Sequence, residues 1–184
     1  MSDVAERYRR VAAAFTDRAR AVPDGAWGNP SPCEGWTARD VVRHMVEWMP
    51  AFLESGAGVA LPAGPPVDDD PVGAWLTVSD GIQALLDDPE TSSRVLVNVH
   101  TGRHPLDEAI GMFILGDVLV HTWDLARATG LDETLDTAEV HAMLVGIEPM
   151  GDALSQSGQY GRPVMVPDDA SEQTRLLAFT GRTP

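Results

Sequence analysis

At 184 residues the chain has the length of one domain with a sizeable core. Its formal net charge of −15 argues against nucleic acid and anionic membrane surfaces as partners, since both require basic patches. All 13 basic residues are arginine, which excludes a Schiff-base lysine, a lysine-anchored pyridoxal phosphate and a P-loop lysine.

The N-terminus, MSDVAERYRRVAAAF, is charged and helix-like and has no apolar core of the kind a signal peptide carries. Together with a single cysteine, Cys33, which excludes an intrachain disulfide, this predicts a cytoplasmic protein. Over residues 2–22 the apolar positions Val4, Tyr8, Val11, Phe15, Ala19 and Val22 recur at helical spacing and predict a first helix. Residues 29–36, NPSPCEGW, read as a turn-rich loop. Thr37, with Asp40 three positions on, then has the pattern of a helix start. The second helix is expected to run to about Ser55, with Val41, Met45, Trp48 and Phe52 along one side.

A loop rich in Gly, Pro and Asp over 56–70 leads to Asp70-Pro71, a cap followed by a first-turn proline. A third helix is predicted from there to about Asp87, with Val72, Trp75, Leu76, Ile82 and Leu85 inward. Residues 94–99, RVLVNV, suit a short strand or an extended connection, with no obvious partner for a sheet. A fourth helix is expected from about Pro105 to Gly130, and its longest apolar run, near residues 109–115, is too short to cross a bilayer. A fifth should span about 137–154, and a short last helix 171–179 before a glycine stop. The pattern as a whole is all-α: a helical bundle core over about 2–155 and a C-terminal loop and short helix over 156–184, within one domain.

Chemistry enters with GDVLVHTWDLARATG, residues 116–130. Asp117 and His121 stand four apart and so share a helix face, in line with Ile110, Ile114 and Leu125. Leaving either group buried and unpaired would cost several kcal/mol, roughly, so a hydrogen bond or a metal ion must compensate them. Taken alone, the pair reads more readily as a hydrogen-bonded couple. His44, seven residues past Thr37 and on the face of Val41, Trp48 and Ala51, adds a third group on the core side of the second helix. Two imidazoles and a carboxylate meeting in a bundle interior form a three-ligand set with open positions, as catalytic metal sites have. Spacing alone leaves the two readings level.

Three segments together, SPCEGWTARDVVRHM, GDVLVHTWDLARATG and PVMVPDDASEQTRLLAFTGR, resemble one family over nearly the whole chain. It is the metal-binding N-terminal domain of mycothiol-dependent maleylpyruvate isomerases, within the DinB-like superfamily. The resemblance implies a DinB-like up-down-down-up four-helix bundle with a short C-terminal extension. It also implies a divalent metal, zinc in the usual assignment, on His44, Asp117 and His121, with nickel, manganese and iron compatible with the same ligands. Mycothiol or another small-molecule thiol would be co-substrate, activated by the metal against an electrophilic substrate. The family has a glutamate where this chain has Asp117, one methylene shorter, and the isomerase carries a C-terminal domain for which 184 residues leave no room. A thiol-dependent transferase or isomerase is therefore expected, as a monomer or homodimer. Alternatives are a non-catalytic metal-stabilised small-molecule binding protein, or a non-haem iron enzyme using the two histidines and the carboxylate.

The remaining candidates have plainer readings. Cys33, in a proline-rich turn, is expected to be a packed thiol, and Trp36 and Trp123 to pack helices together. Trp48, one turn past His44, is the better pocket candidate, although a core position is its stronger reading. Asp124 suits either an acceptor for a ligand imidazole or a partner of Arg127 or Arg39. His100 and His104 read as loop residues, His141 as a boundary residue, and Asp68, Asp69, Asp70, Asp168 and Asp169 as turn and cap chemistry.

Overall fold

The computed structural model describes residues 3–99, 102–151 and 160–184. Ser2, His100 and residues 152–154, assigned above to helix ends and a loop, lie outside them. The N-terminal stripe forms α1 (Asp3–Ala21), with Tyr8, Val11, Phe15 and Ala19 buried. Val22 precedes Pro23, whose ring disfavours helical backbone at that position, and α1 stops there. On α3 (Pro71–Asp87), which Asp70 caps by accepting from the Gly73 N–H, Trp75 packs 4.6 Å from the Phe15 ring. Its indole N–H donates to the Thr16 hydroxyl at 2.8 Å, so this fully buried tryptophan has its one polar atom paired.

α2 (Ala38–Ala57) begins with the capping box expected of Thr37 and Asp40: the threonine oxygen accepts from the Asp40 N–H, and the aspartate accepts from the Thr37 N–H at 2.9 Å. α4 (Leu106–Thr129) contains one turn of π-helix, Ile110–Ile114, before a regular α-helical run from Leu115. α1 and α2 each pack against both α3 and α4, so the four long helices close into a ring. α4 is buried nearly all round; only Arg127 is exposed between Leu115 and Thr129, with Asp117 half-buried. By length and composition α4 could cross a membrane, but 78% of its most apolar window is buried inside the protein, where it serves as the core helix.

Two expectations are corrected outside the helical ring. Residues 94–99 do find a partner: β1 (Val95–Asn98) pairs antiparallel with β2 (Gly102–Pro105), Leu96 opposite His104. The sequence Gly-Arg-His-Pro carries no strand propensity, and the pairing is held by backbone hydrogen bonds and by Leu96, fully buried where β1 lies on α2. The fifth helix is shorter than expected. α5 (Thr137–Ile147) gives way to a 3₁₀ turn at Glu148–Met150, because Pro149 has no N–H for a helical bond and clashes with the preceding turn. α6 (Glu172–Phe179) starts at Ser171, which accepts from the Thr174 N–H, and packs on α5.

α5 is tied to α1 through a buried carboxylate. Glu139 is 2% exposed and accepts from Arg7 at both oxygens, at 3.0 and 2.8 Å, and from Arg10 at 3.2 Å. The arginines are part-exposed and keep Asp3 and Asp136, so the loss is that of the hydrogen bonds to a charged acceptor. Glu139→Ala is expected to lower unfolding stability by about 2 kcal/mol in a urea titration, and a loss below about 0.5 kcal/mol would show that the pairing adds nothing to the fold.

Candidate metal centre

The capping box sets the phase of α2, and His44 and Trp48, one turn apart, both face α4. On α4, Asp117 meets them. The His44 Nε2 lies 3.4 Å from one Asp117 oxygen and the His121 Nε2 lies 3.5 Å from the other. One ligand atom from each of His44, Asp117 and His121 falls within 4.8 Å of the other two. The Trp48 indole N–H donates to Asp117 Oδ2 at 2.9 Å and fixes the carboxylate's orientation. Trp48 is therefore part of the site, on the pocket side of its two sequence readings.

His121 is 5% exposed and is held from behind. Its Nδ1 lies 2.8 Å from Asp124 Oδ2, and Asp124 is fully buried. With a proton on Nδ1 donated to Asp124, Nε2 carries the lone pair and faces Asp117 and His44. Carboxylate, histidine and outward Nε2 form the arrangement that metal-binding imidazoles commonly have. Asp124 in turn accepts from Arg182, at 2.7 Å from Nη2 and 3.3 Å from Nε. Neither Arg39 nor Arg127 is its partner: Arg39 pairs with Asp68, and Arg127 pairs with Glu133 and lies over the Trp123 ring.

Arg182 arrives from the far end of the chain by a helix-stop device. The Arg182 N–H bonds to the Leu177 carbonyl and the Gly181 N–H to that of Ala178, with Gly181 at φ +86°, which makes a Schellman motif ending α6. The stop glycine was legible in the sequence; the destination of the arginine after it was not, because 58 residues separate it from Asp124.

A tight turn brings in two more side chains. The Trp36 N–H bonds to the Cys33 carbonyl across Gly35 at φ +76°, so both flanking residues point to the site. The Trp36 ring lies 4.9 Å from that of His44 and 6.0 Å from that of His121, so this half-buried tryptophan walls the site and does more than pack helices. The Cys33 thiol lies 3.5 Å from Asp124 Oδ2 and 3.6 Å from Arg182 Nη2. Cys33, His121 and Asp124 also cluster closely enough for an ion. The Arg182 guanidinium already supplies the positive charge on that side, so the cluster reads as a hydrogen-bonded network.

The other two histidines differ from their plain readings: His141, read as a boundary residue, is exposed and 2.9 Å from Glu172, and His104, read as a loop residue, lies in β2 opposite Leu96 with its ring edge-on to Phe113 at 5.9 Å.

The charges are strongly coupled. Burial disfavours a charged His121, but Asp117 and Asp124 outweigh it and raise its pKa to about 10. Burial likewise works against an ionised Asp117, yet His121, His44 and the Trp48 N–H hold its pKa below the usual carboxylate value. Asp124, against the same burial penalty, is brought down to about 2 by His121 and Arg182. The pocket therefore keeps two carboxylates ionised, and without a metal it holds a proton on His121 to balance them.

The geometry suits a divalent ion. Two ligand atoms at about 2.1 Å from a tetrahedral ion stand about 3.4 Å apart, close to the two imidazole–carboxylate separations. Those separations are also long for hydrogen bonds. The shorter Asp117 side chain still reaches both imidazoles.

A family model described as the mycothiol maleylpyruvate isomerase N-terminal domain matches residues 8–126, a span that includes His44, Asp117, His121 and Asp124. Two Mycobacterium tuberculosis proteins are similar to this chain: Uncharacterized protein MT0763 from strain CDC 1551 / Oshkosh and Uncharacterized protein Rv0738 from strain ATCC 25618 / H37Rv. Each is 29% identical over 189 residues, covering 96% of this chain and 96% of its own length. No solved structure matches the chain.

Proposed function

Because the chain belongs to the mycothiol maleylpyruvate isomerase N-terminal domain family, we propose that it is a DinB-like metal-dependent protein acting on a small-molecule thiol, as a transferase or isomerase. His44, Asp117 and His121 are the ligands, zinc is the preferred ion, and the ring of four helices is the up-down-down-up bundle of that superfamily, with residues 156–184 as an extension of the same domain. The observation that carries the reading is the convergence of two imidazole Nε2 atoms on one carboxylate, with the Nδ1 of His121 tied to Asp124.

A divalent ion with open positions binds a thiol, lowers its pKa and holds it beside an electrophile. The chain's own residues prepare that chemistry. Asp124, clamped by Arg182, keeps the His121 proton on Nδ1 and the lone pair on Nε2. Trp48 keeps the Asp117 carboxylate aimed between the two imidazoles. Trp36 covers the rings of both histidines and excludes water from one side, offering an apolar wall to a bound molecule.

The test is direct. Cobalt(II)-loaded protein titrated with mycothiol or cysteine should develop a sulfur-to-cobalt charge-transfer band, and the His121→Ala variant should not. Stoichiometric cobalt with no band at millimolar thiol would remove the thiol and leave a metal-stabilised binding scaffold as the better account.

A further inference from the structure

The three converging groups stand in a longer row. On α2, His44, Trp48 and Phe52 recur at four-residue steps, and on α4 Phe113, Asp117 and His121 do the same. The two stripes run in opposite directions and meet in three rungs. The His44 and His121 rings lie 5.0 Å apart, the Trp48 indole N–H reaches Asp117 at 2.9 Å, and the Phe52 and Phe113 rings meet edge-on at 5.8 Å. Along α2 the rings are continuous too: Trp48 lies 5.9 Å from His44 and 5.6 Å from Phe52. Phe113 belongs to the π-helical turn of α4, an irregularity frequent at functional sites.

This row lies at the surface of the bundle. The next positions on α2, Met45, Met49 and Leu53, are fully buried, whereas Trp48, Phe52 and Phe113 stay part-exposed. His44 and Asp117 are open along the same strip, at 30% and 18% of their side chains. Between Leu115 and Ala126, Asp117 is the one residue of α4 that is not buried. The open side of the three ligand groups and the row of rings are therefore one surface. Its chemistry changes along its length, from ligand groups at one end to the uncharged rings of Phe52 and Phe113 at the other. Small-molecule sites have this make-up, apolar walls with a few polar groups that fix one end of the ligand.

We propose that the strip binds a small molecule with an anionic, metal-binding head and a flat apolar group, the head on His44, Asp117 and His121 and the apolar group against Phe52 and Phe113. The inference rests on the metal-site reading above and adds to it the class of substrate. Each four-residue step advances about 6 Å along a helix, so the apolar group belongs one to two steps, about 6–12 Å, from the head.

Two hydroxamates serve as probes, because that head takes open cobalt positions whether or not a thiol is used. Full-length protein loaded with cobalt(II) is titrated with acetohydroxamate and with 4-phenylbutanohydroxamate, and binding is followed by visible absorption. The wild type is expected to bind the phenyl compound at least about tenfold more tightly, the gain of seating one ring against aromatic side chains. In Phe113→Ala, and in Phe52→Ala on the other helix, that preference should fall below about threefold. Taking the ratio of the two affinities within each protein cancels any change in the metal site itself. Equal affinities in the wild type, or a preference that survives in both variants, would overturn the strip and leave the metal site standing. A wild type that takes up no cobalt would overturn the metal reading, and this inference with it.

Discussion

Wild-type protein, reconstituted with zinc and desalted, should carry about one ion per chain, and His121→Ala should carry less than about a tenth of that by elemental mass spectrometry. His121 is the ligand with the most support: it is buried, fixed in tautomer by Asp124, and shares Asp117 with His44. Its removal does not strand the groups behind it. Asp124 keeps both contacts from Arg182, and Asp117 keeps the Trp48 N–H and His44. The variant should therefore fold, and loss of metal would report loss of a ligand. His44→Ala is expected to show the same loss from the other helix, since it leaves one imidazole and one carboxylate, too few to hold zinc against washing. A wild type that stays empty after reconstitution would make Asp117 and His121 an ion-paired couple, the proton on His121 balancing the carboxylate.

The parts of this site that could be read in the sequence are those set by helix periodicity and a cap. Asp117 and His121 share a face because they are i and i+4 on a regular helix, and the π-turn at Ile110–Ile114 ends before either of them. Thr37 and Asp40 fix the phase of α2 and so the direction of His44 and Trp48. The other contributors depend on long-range packing, for which sequence spacing holds no signal. Arg182 reaches Asp124 through a helix stop, and Trp36 reaches two histidines through a turn. The same division runs through the fold. The long amphipathic helices were legible from their stripes. The β1–β2 hairpin was not, because Gly-Arg-His-Pro pairs by backbone and not by propensity. The end of α5 turns on Pro149, a local signal that the apolar pattern running past it concealed.

Metal affinity should climb steeply with pH across a window in which a free imidazole would give almost no dependence. In the metal-free protein the His121 pKa is raised to about 10, burial being outweighed by Asp117 and Asp124. A ligand imidazole must present a lone pair at Nε2, so an ion entering near neutral pH displaces one proton from His121. The sign follows: below the raised pKa each pH unit removes a tenfold competition by protons, and above it the competition ends. Between pH 7 and pH 9 the apparent zinc affinity, measured against a competing chelator whose own pH dependence is subtracted, should therefore rise about a hundredfold. An imidazole at its ordinary value of about 6.5 would give a rise of less than about twofold over the same range. Asp124→Asn separates the charge from the packing. It keeps a side chain of the same shape beside Nδ1 but removes one of the two charges that hold the proton. The variant should bind zinc about ten- to a hundredfold more weakly at pH 9, where the orienting carboxylate is missed, and its affinity should level off at a lower pH than that of the wild type. A wild-type profile flat from pH 7 to pH 9 would mean that the proton on His121 is not what the metal replaces.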